Sequence, residues 1–284
     1  LIDKFTYKET DYVNALLQNG FMTQYENYEM SLLCKFWKET GVTKKEARQN
    51  LIYFCELYSD SYDEMLYHAR LDRIVNGVYR KENKLIQIDY VPIYKHEFEY
   101  IQNCNLPHPY QRLLFAFLVL KKIHSEIWVI NGGERKLSGL INGDKKQFKI
   151  VSEMAHLKGG KKEDIFYMIY DLAQQGMVTS LALAQVYLNF IDELKEDESE
   201  EIIRVSDFEH VWMYYDYLSG YNRAGRVIVC EECNKPYHAK SNRQKYCEEC
   251  KREKQLSWKR ENMKKKRSEE NIEVFNLEYT CDFK

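Results

Sequence analysis

Residues 229–254 read VCEECNKPYHAKSNRQKYCEECKREK and hold two Cys-x-x-Cys pairs, Cys230 with Cys233 and Cys247 with Cys250. A Cys-x-x-Cys turn sets two thiolates on one side of a tight loop, and two such turns complete a tetrahedron around Zn2+. The expected cofactor is one structural Zn2+, because four cysteines fill the coordination sphere and leave no position for water. The alternative, free thiols or disulfides, has paired spacing against it. His238 lies between the pairs; it offers a substitute ligand but reads more simply as a hairpin residue. Residues 234–246 fit a short hairpin, with Lys235-Pro236 turning, Tyr237-His238 as strand and Ser241-Asn242 turning again. From Cys250 onward the residues are helix formers, without Pro or Gly before Glu269. The second pair then sits at a helix N-terminus, where the macrodipole stabilises thiolate and tolerates Glu248 and Glu249. Knuckle, hairpin and helix make the plan of a zinc ribbon or treble clef.

Charge is concentrated around this module. The chain of 284 residues carries 42 Lys and Arg against 44 Asp and Glu, yet residues 221–268 hold 15 Lys and Arg against 6 Glu. A basic end on a near-neutral chain points to a polyanion partner. The candidate nucleic-acid contacts are Arg243, Lys245, Lys251, Arg252, Lys254, Lys259, Arg260, Lys264, Lys265, Lys266 and Arg267. The competing reading is a solvated basic helix, or one that packs through Leu256, Trp258 and Met263.

The remaining composition is that of a folded, helix-rich chain, with high aromatic content and little Pro or Gly. Cys34, Cys55, Cys104 and Cys281 have no pairing spacing. Cys34 and Cys55 fall in apolar helical patterns and read as buried thiols, which suits a reducing compartment. The opening Leu1-Ile2-Asp3-Lys4 is charged too early for a signal peptide, and the longest apolar run, Leu113 to Leu120, is too short to span a bilayer. A cytoplasmic protein with no membrane partner is expected.

Helical spacing marks Glu9–Gln18, Gln24–Glu39, a capping box at Thr43 to Glu46 opening a helix toward Tyr58, and a helix from Asp60-Ser61 to Gly77. Leu85 to Ile93 alternates as a strand ending at Pro92, which places it at a sheet edge. Tyr94–Ile101 reads as a short helix. His108-Pro109-Tyr110 opens a helix apolar on every side, with Lys121, Lys122 and His124 suited to its C-terminal end. Lys146–Leu157 and Lys161–Gln175 are helices around a Lys158-Gly159-Gly160 turn, with Ile150, Val151, Met154, Ile165, Met168, Ile169 and Leu172 facing inward. Met177–Ile191 reads as a two-stranded wing. Asp192–Glu201 is an acidic loop, Ile202–Val205 a strand, and Ser206-Asp207 caps a helix that Gly220 ends.

Residues 151–178, VSEMAHLKGGKKEDIFYMIYDLAQQGMV, resemble the positioning and recognition helices of the winged helix-turn-helix superfamily. The resemblance implies DNA contact by the second helix. Its start, Lys161-Lys162-Glu163-Asp164, departs from the pattern, since two acids beside phosphates repel. The helix after Cys250 is therefore expected to be the main nucleic-acid contact. No G-x-S-x-G, H-E-x-x-H or P-loop occurs, and Asn131-Gly132-Gly133 and Asn142-Gly143 read as turns, so no enzyme is expected.

The order of parts is similar to a family of phage and prophage proteins from low-GC bacteria, built from a helical N-terminal region, a winged-helix-like middle and a C-terminal Cys-x-x-Cys…Tyr-Cys-x-x-Cys module with a basic helix. The resemblance brings no activity with it. It implies a mobile-element protein in the host cytoplasm, acting on nucleic acid or on a host protein. The expected fold class is mostly α with small β elements: a helical region at 1–80, a winged-helix-like domain at 81–220, a zinc module with basic helix at 221–268 and an acidic tail at 269–284. The expected function is a DNA-binding regulator. The alternative is a factor that engages a host nucleic-acid enzyme or defence component without reading DNA.

Overall fold

The structure, a computed structural model, describes residues 7–80, 84–130, 141–142, 145–157, 162–181, 185–190, 200–221, 225–241 and 243–280. Ten helices and seven short strands in small antiparallel sheets occur among them. The chain is mostly α, and it divides into two compact units, Leu1–Trp212 and Met213–Lys284. Among the described residues no helix is long and apolar enough to cross a membrane.

The first unit opens with four helices, α1 (Glu9–Asn19), α2 (Glu26–Glu39), α3 (Lys44–Tyr58) and α4 (Glu64–Arg80). The expected capping box is present: Thr43 Oγ1 accepts from the Glu46 amide and the Thr43 amide donates to Glu46 Oε2 at 2.9 Å. Val13, Leu16, Leu32, Leu33, Leu51 and Leu71 form the core between the helices. Cys34 and Cys55 are buried in it, and burial pushes both thiols up to about 12, out of reach of ionisation. Gly20, at φ +78°, ends α1; a Cβ there would run into the Tyr58 ring, so the position needs glycine for both its torsion and its neighbour. Two boundaries differ from expectation. Asp63, rather than Asp60 or Ser61, caps α4, its carboxylate accepting the Leu66 amide at 3.1 Å. Gly77 lies inside α4, because one glycine costs a packed helix only about 1 kcal/mol.

The strand expected at 85–93 is displaced. β1 covers Val91–Tyr94, so it runs through Pro92 instead of ending there, and it pairs antiparallel with β5 (Glu201–Val205), Pro92 standing opposite Arg204. α5 (Lys95–Asn103) follows, then α6 (His108–Ile130). Residues 113–120 of α6 are each at most 1% exposed, which is what an all-apolar stretch requires. α5, α7 and the strands β1 and β2 all pack on α6. The helix does not end at Lys121-Lys122-His124, as the charges suggested. Lys122 is buried mid-helix, donating to Glu97 at 2.7 Å and to the Pro92 carbonyl at 2.9 Å, with its ammonium over the Tyr94 ring.

Beyond α6 come β2 (Ile141–Asn142), α7 (Lys145–Met154), α8 (Lys162–Gln174), β3 (Val178–Leu181) and β4 (Gln185–Leu188), the strands in the order β2-β4-β3. Asn142, read as turn, instead pairs with Gln185. Val151, Met154, Ile165, Met168, Ile169 and Leu172 are buried, and Ile150 is half-buried. The Lys158-Gly159-Gly160 turn and residues 191–199 of the acidic stretch lie outside the described residues. Leu172→Asp should place an uncompensated charge in this face and cost roughly 3 kcal/mol or more. Urea unfolding reads it directly; a loss under about 1 kcal/mol would mean that Leu172 is not core. Before the last helix preceding the cysteine module, α9 (Val211–Ser219), Asp207 accepts from the Glu209 and His210 amides, so it closes the turn leading into the helix instead of capping its first turn as expected; Gly220 follows the helix at φ +67°.

Candidate metal centre and basic helix

The second unit carries the cysteine module. β6 (Val227–Val229) and β7 (Pro236–His238) form an antiparallel hairpin whose connection is the first Cys-x-x-Cys turn. The hairpin therefore flanks the first pair instead of lying between the pairs, and Pro236 is strand rather than turn. Three apolar residues before Cys230 are too few to announce a strand by alternation. The turn closes with the Asn234 amide donating to the Cys230 carbonyl at 3.0 Å and the Cys230 amide to the Lys235 carbonyl at 2.9 Å. Asn234 takes φ +56°, a torsion that Asn accepts more readily than most residues. Asn242, read as part of a second turn, lies outside the described residues.

α10 (Glu248–Thr280) starts at the second pair, so the acidic tail expected from 269 continues this helix to Thr280. Cys247 occupies its N-cap, where its Sγ accepts the Cys250 amide at 3.5 Å. The Cys247 amide points at Cys230 Sγ, 3.4 Å away. The four Sγ atoms lie within 4.8 Å of one another, and those of Cys233 and Cys247 are 3.8 Å apart. A disulfide requires about 2.05 Å. A tetrahedron with metal–sulfur bonds of about 2.3 Å has edges of about 3.8 Å. The group could hold one metal ion. His238 stands on β7 opposite Val227 and is not one of this group.

Burial opposes ionisation of Cys230, but the amides of Cys233, Cys247 and Glu232 outweigh it and hold the thiol down at about 6. Cys233 and Cys250 are pushed upward, first by burial and then by neighbouring thiols. One thiolate forms easily and the next is resisted, the electrostatic situation that a divalent cation relieves.

No family model, curated protein or solved structure matches the chain.

The structure divides the candidate basic residues. Lys245 pairs with Glu231 at 3.2 Å, and Lys254 with Glu232 at 2.6 Å while lying 4.2 Å from the Tyr246 ring centre. Lys240 pairs with Glu248. The knuckle acids Glu231, Glu232 and Glu248 thus hold lysines against the module, a role the Cys-Glu-Glu-Cys repeats signalled only as charge. Arg243, Lys251, Arg252, Lys259, Arg260, Lys264 and Lys266 are exposed and make no ion pair among the described residues, and Lys265 is exposed beside them. Arg267 continues α10, its side chain outside the described part. Leu256, Trp258 and Met263, through which the competing reading would pack the helix, are 44, 64 and 59% exposed.

Proposed function

We propose that the protein is a zinc-containing nucleic-acid-binding regulator of phage or mobile-element origin, gripping phosphate through α10. One observation carries this reading: from Lys251 to Lys266 the helix is exposed almost throughout, holds eight Lys and Arg against two Glu, and has one of the four clustered cysteines at its N-cap and another in its first turn. Zn2+ is the ion that four thiolates at tetrahedral spacing select, and the Cys247–Cys250 turn then fixes the root of the helix. The order α6-β2-α7-α8-β3-β4, with strands β2-β4-β3, supports a winged-helix assignment for the middle of the chain. In that assignment α8 is the recognition helix, but its exposed side chains include Tyr167 and Tyr170 and its start carries Glu163 and Asp164. Phosphate affinity therefore falls to α10. A second reading, contact with a host protein, is favoured by the same two tyrosines, 71 and 62% exposed, since aromatic anchors serve protein interfaces. In both readings the protein is a binder rather than an enzyme.

The two differ in their response to salt. Binding that releases counterions from six or more phosphates loses orders of magnitude of affinity between about 50 and 200 mM salt. Fluorescence anisotropy with random-sequence DNA and RNA should follow that slope, and replacing Lys264, Lys265, Lys266 and Arg267 by Ala should weaken binding to every sequence and flatten it. Absence of binding below roughly 10 μM at low salt would remove the nucleic-acid reading. Capture from host extract that survives nuclease treatment would then support the protein partner.

A further inference from the structure

Trp258 is 64% exposed in the middle of a basic helix. A large apolar ring left in water on a folded element is informative when charge of one sign dominates the helix around it. Here Lys and Arg outnumber Glu eight to two from Lys251 to Lys266, with Gln255, Glu261 and Asn262 also within one turn of the ring. Lys251, Lys254, Trp258 and Lys265 follow at spacings of three, four and seven, which places them in one stripe along α10. Lys251 and Lys265 stand two turns, about 10 Å, to either side of the ring. Lys254, one turn before it, is held in place by Glu232 and the Tyr246 ring. Leu256 and Met263, seven apart, lie on the other side of the helix, so the indole is not part of a continuous apolar seam.

A duplex offers this stripe its phosphates but no base face, because the faces are stacked on one another. An unpaired strand offers both. Lysines neutralise the backbone while an aromatic ring takes a base, the combination by which strands are held without sequence preference. We infer that α10 binds an unpaired polynucleotide strand, with Trp258 stacking on a base and the flanking lysines on the phosphates either side. The inference rests on the proposed nucleic-acid function and specifies its substrate. Stacking on a ring and charge contact with phosphate do not read the sugar, so ribose and deoxyribose strands bind alike.

The test uses the full chain, with labelled oligo-dT, oligo-rU and a blunt hairpin duplex of equal phosphate number. The unaltered protein binds both strands more tightly than the duplex. Trp258→Ala weakens strand binding about five- to hundredfold, the worth of one stacked base, and leaves the duplex within about twofold. Trp258→Phe, which keeps an aromatic face, recovers most of the loss. Circular dichroism and metal content unchanged in both variants separate stacking from loss of the module. Equal strand affinity for Trp258→Ala and the unaltered protein, or a preference for the duplex, overturns the inference. If the Lys264–Arg267 variant loses affinity under that outcome, phosphate binding stands and only stacking falls. If neither strand nor duplex binds, the nucleic-acid function falls with it. Tighter binding to anionic lipid vesicles than to either strand would also overturn it, assigning the basic face to a membrane surface.

Discussion

Cys247→Ser is expected to give a full-length protein without bound zinc, in which residues 225–266 are digested rapidly by protease while the helices of residues 9–130 melt unchanged. The expectation follows from the size of the module's own core. Its buried members are Cys230, Tyr237 and Cys250, with Ile228, Cys233, Ala239, Tyr246 and Cys247 partly buried around them. Eight side chains cannot offset the entropy of ordering about forty residues, so the ion must supply the difference. Structural zinc contributes about 10–16 kcal/mol of apparent binding free energy in such small domains. Serine keeps the volume of Cys247 but not the soft thiolate, and it sits where the helix cap, the contact with Cys230 and the approach to Cys233 converge. Chelation of the unaltered protein should reproduce the effect reversibly. Metal analysis finding a full equivalent of zinc in a protease-resistant Cys247→Ser protein would refute both the site and its structural role.

The second large effect lies in the other unit. Lys122→Met should destabilise residues 91–130 by about 3–5 kcal/mol, because Glu97 would keep its charge in the core without its cation. Both side chains are at most 5% exposed, and the lysine also holds the Pro92 carbonyl and the Tyr94 ring. The double variant Lys122→Met/Glu97→Leu removes the orphan along with the pair and should recover most of the stability. Denaturant unfolding of the four proteins closes a double-mutant cycle. A single-variant loss below about 1 kcal/mol would mean that water already reaches the pair.

The ligand group was legible because its information is local. Two Cys-x-x-Cys turns state their chemistry within four residues each, and the structure brings all four sulfurs together. The inward face of α7 and α8 was legible for the same reason, since helical spacing alone separates Val151, Ile165 and Leu172 from their neighbours. What stayed hidden depends on partners distant in sequence. Lys122 read as the charged end of a helix because its counter-ion stands 25 residues earlier. β6 escaped notice because Val227-Ile228-Val229 becomes a strand only by pairing across the cysteine turn. The pairing of Glu231 and Glu232 with Lys245 and Lys254 depends on how the two knuckles face each other, which spacing does not specify.

The Lys122 ammonium has a consequence beyond its ion pair. Among the described residues β1 and β5 form a sheet of two strands, each with a side that pairs with no other strand, and such a side can recruit a strand from another molecule. In an antiparallel strand the N–H and C=O of one residue point the same way. The Pro92 carbonyl turns to Lys122, and its nitrogen carries no hydrogen. At the middle of β1 an incoming strand would therefore meet no donor and an acceptor already engaged. The buried lysine and the proline together blunt the middle of β1 as an edge for pairing with another chain.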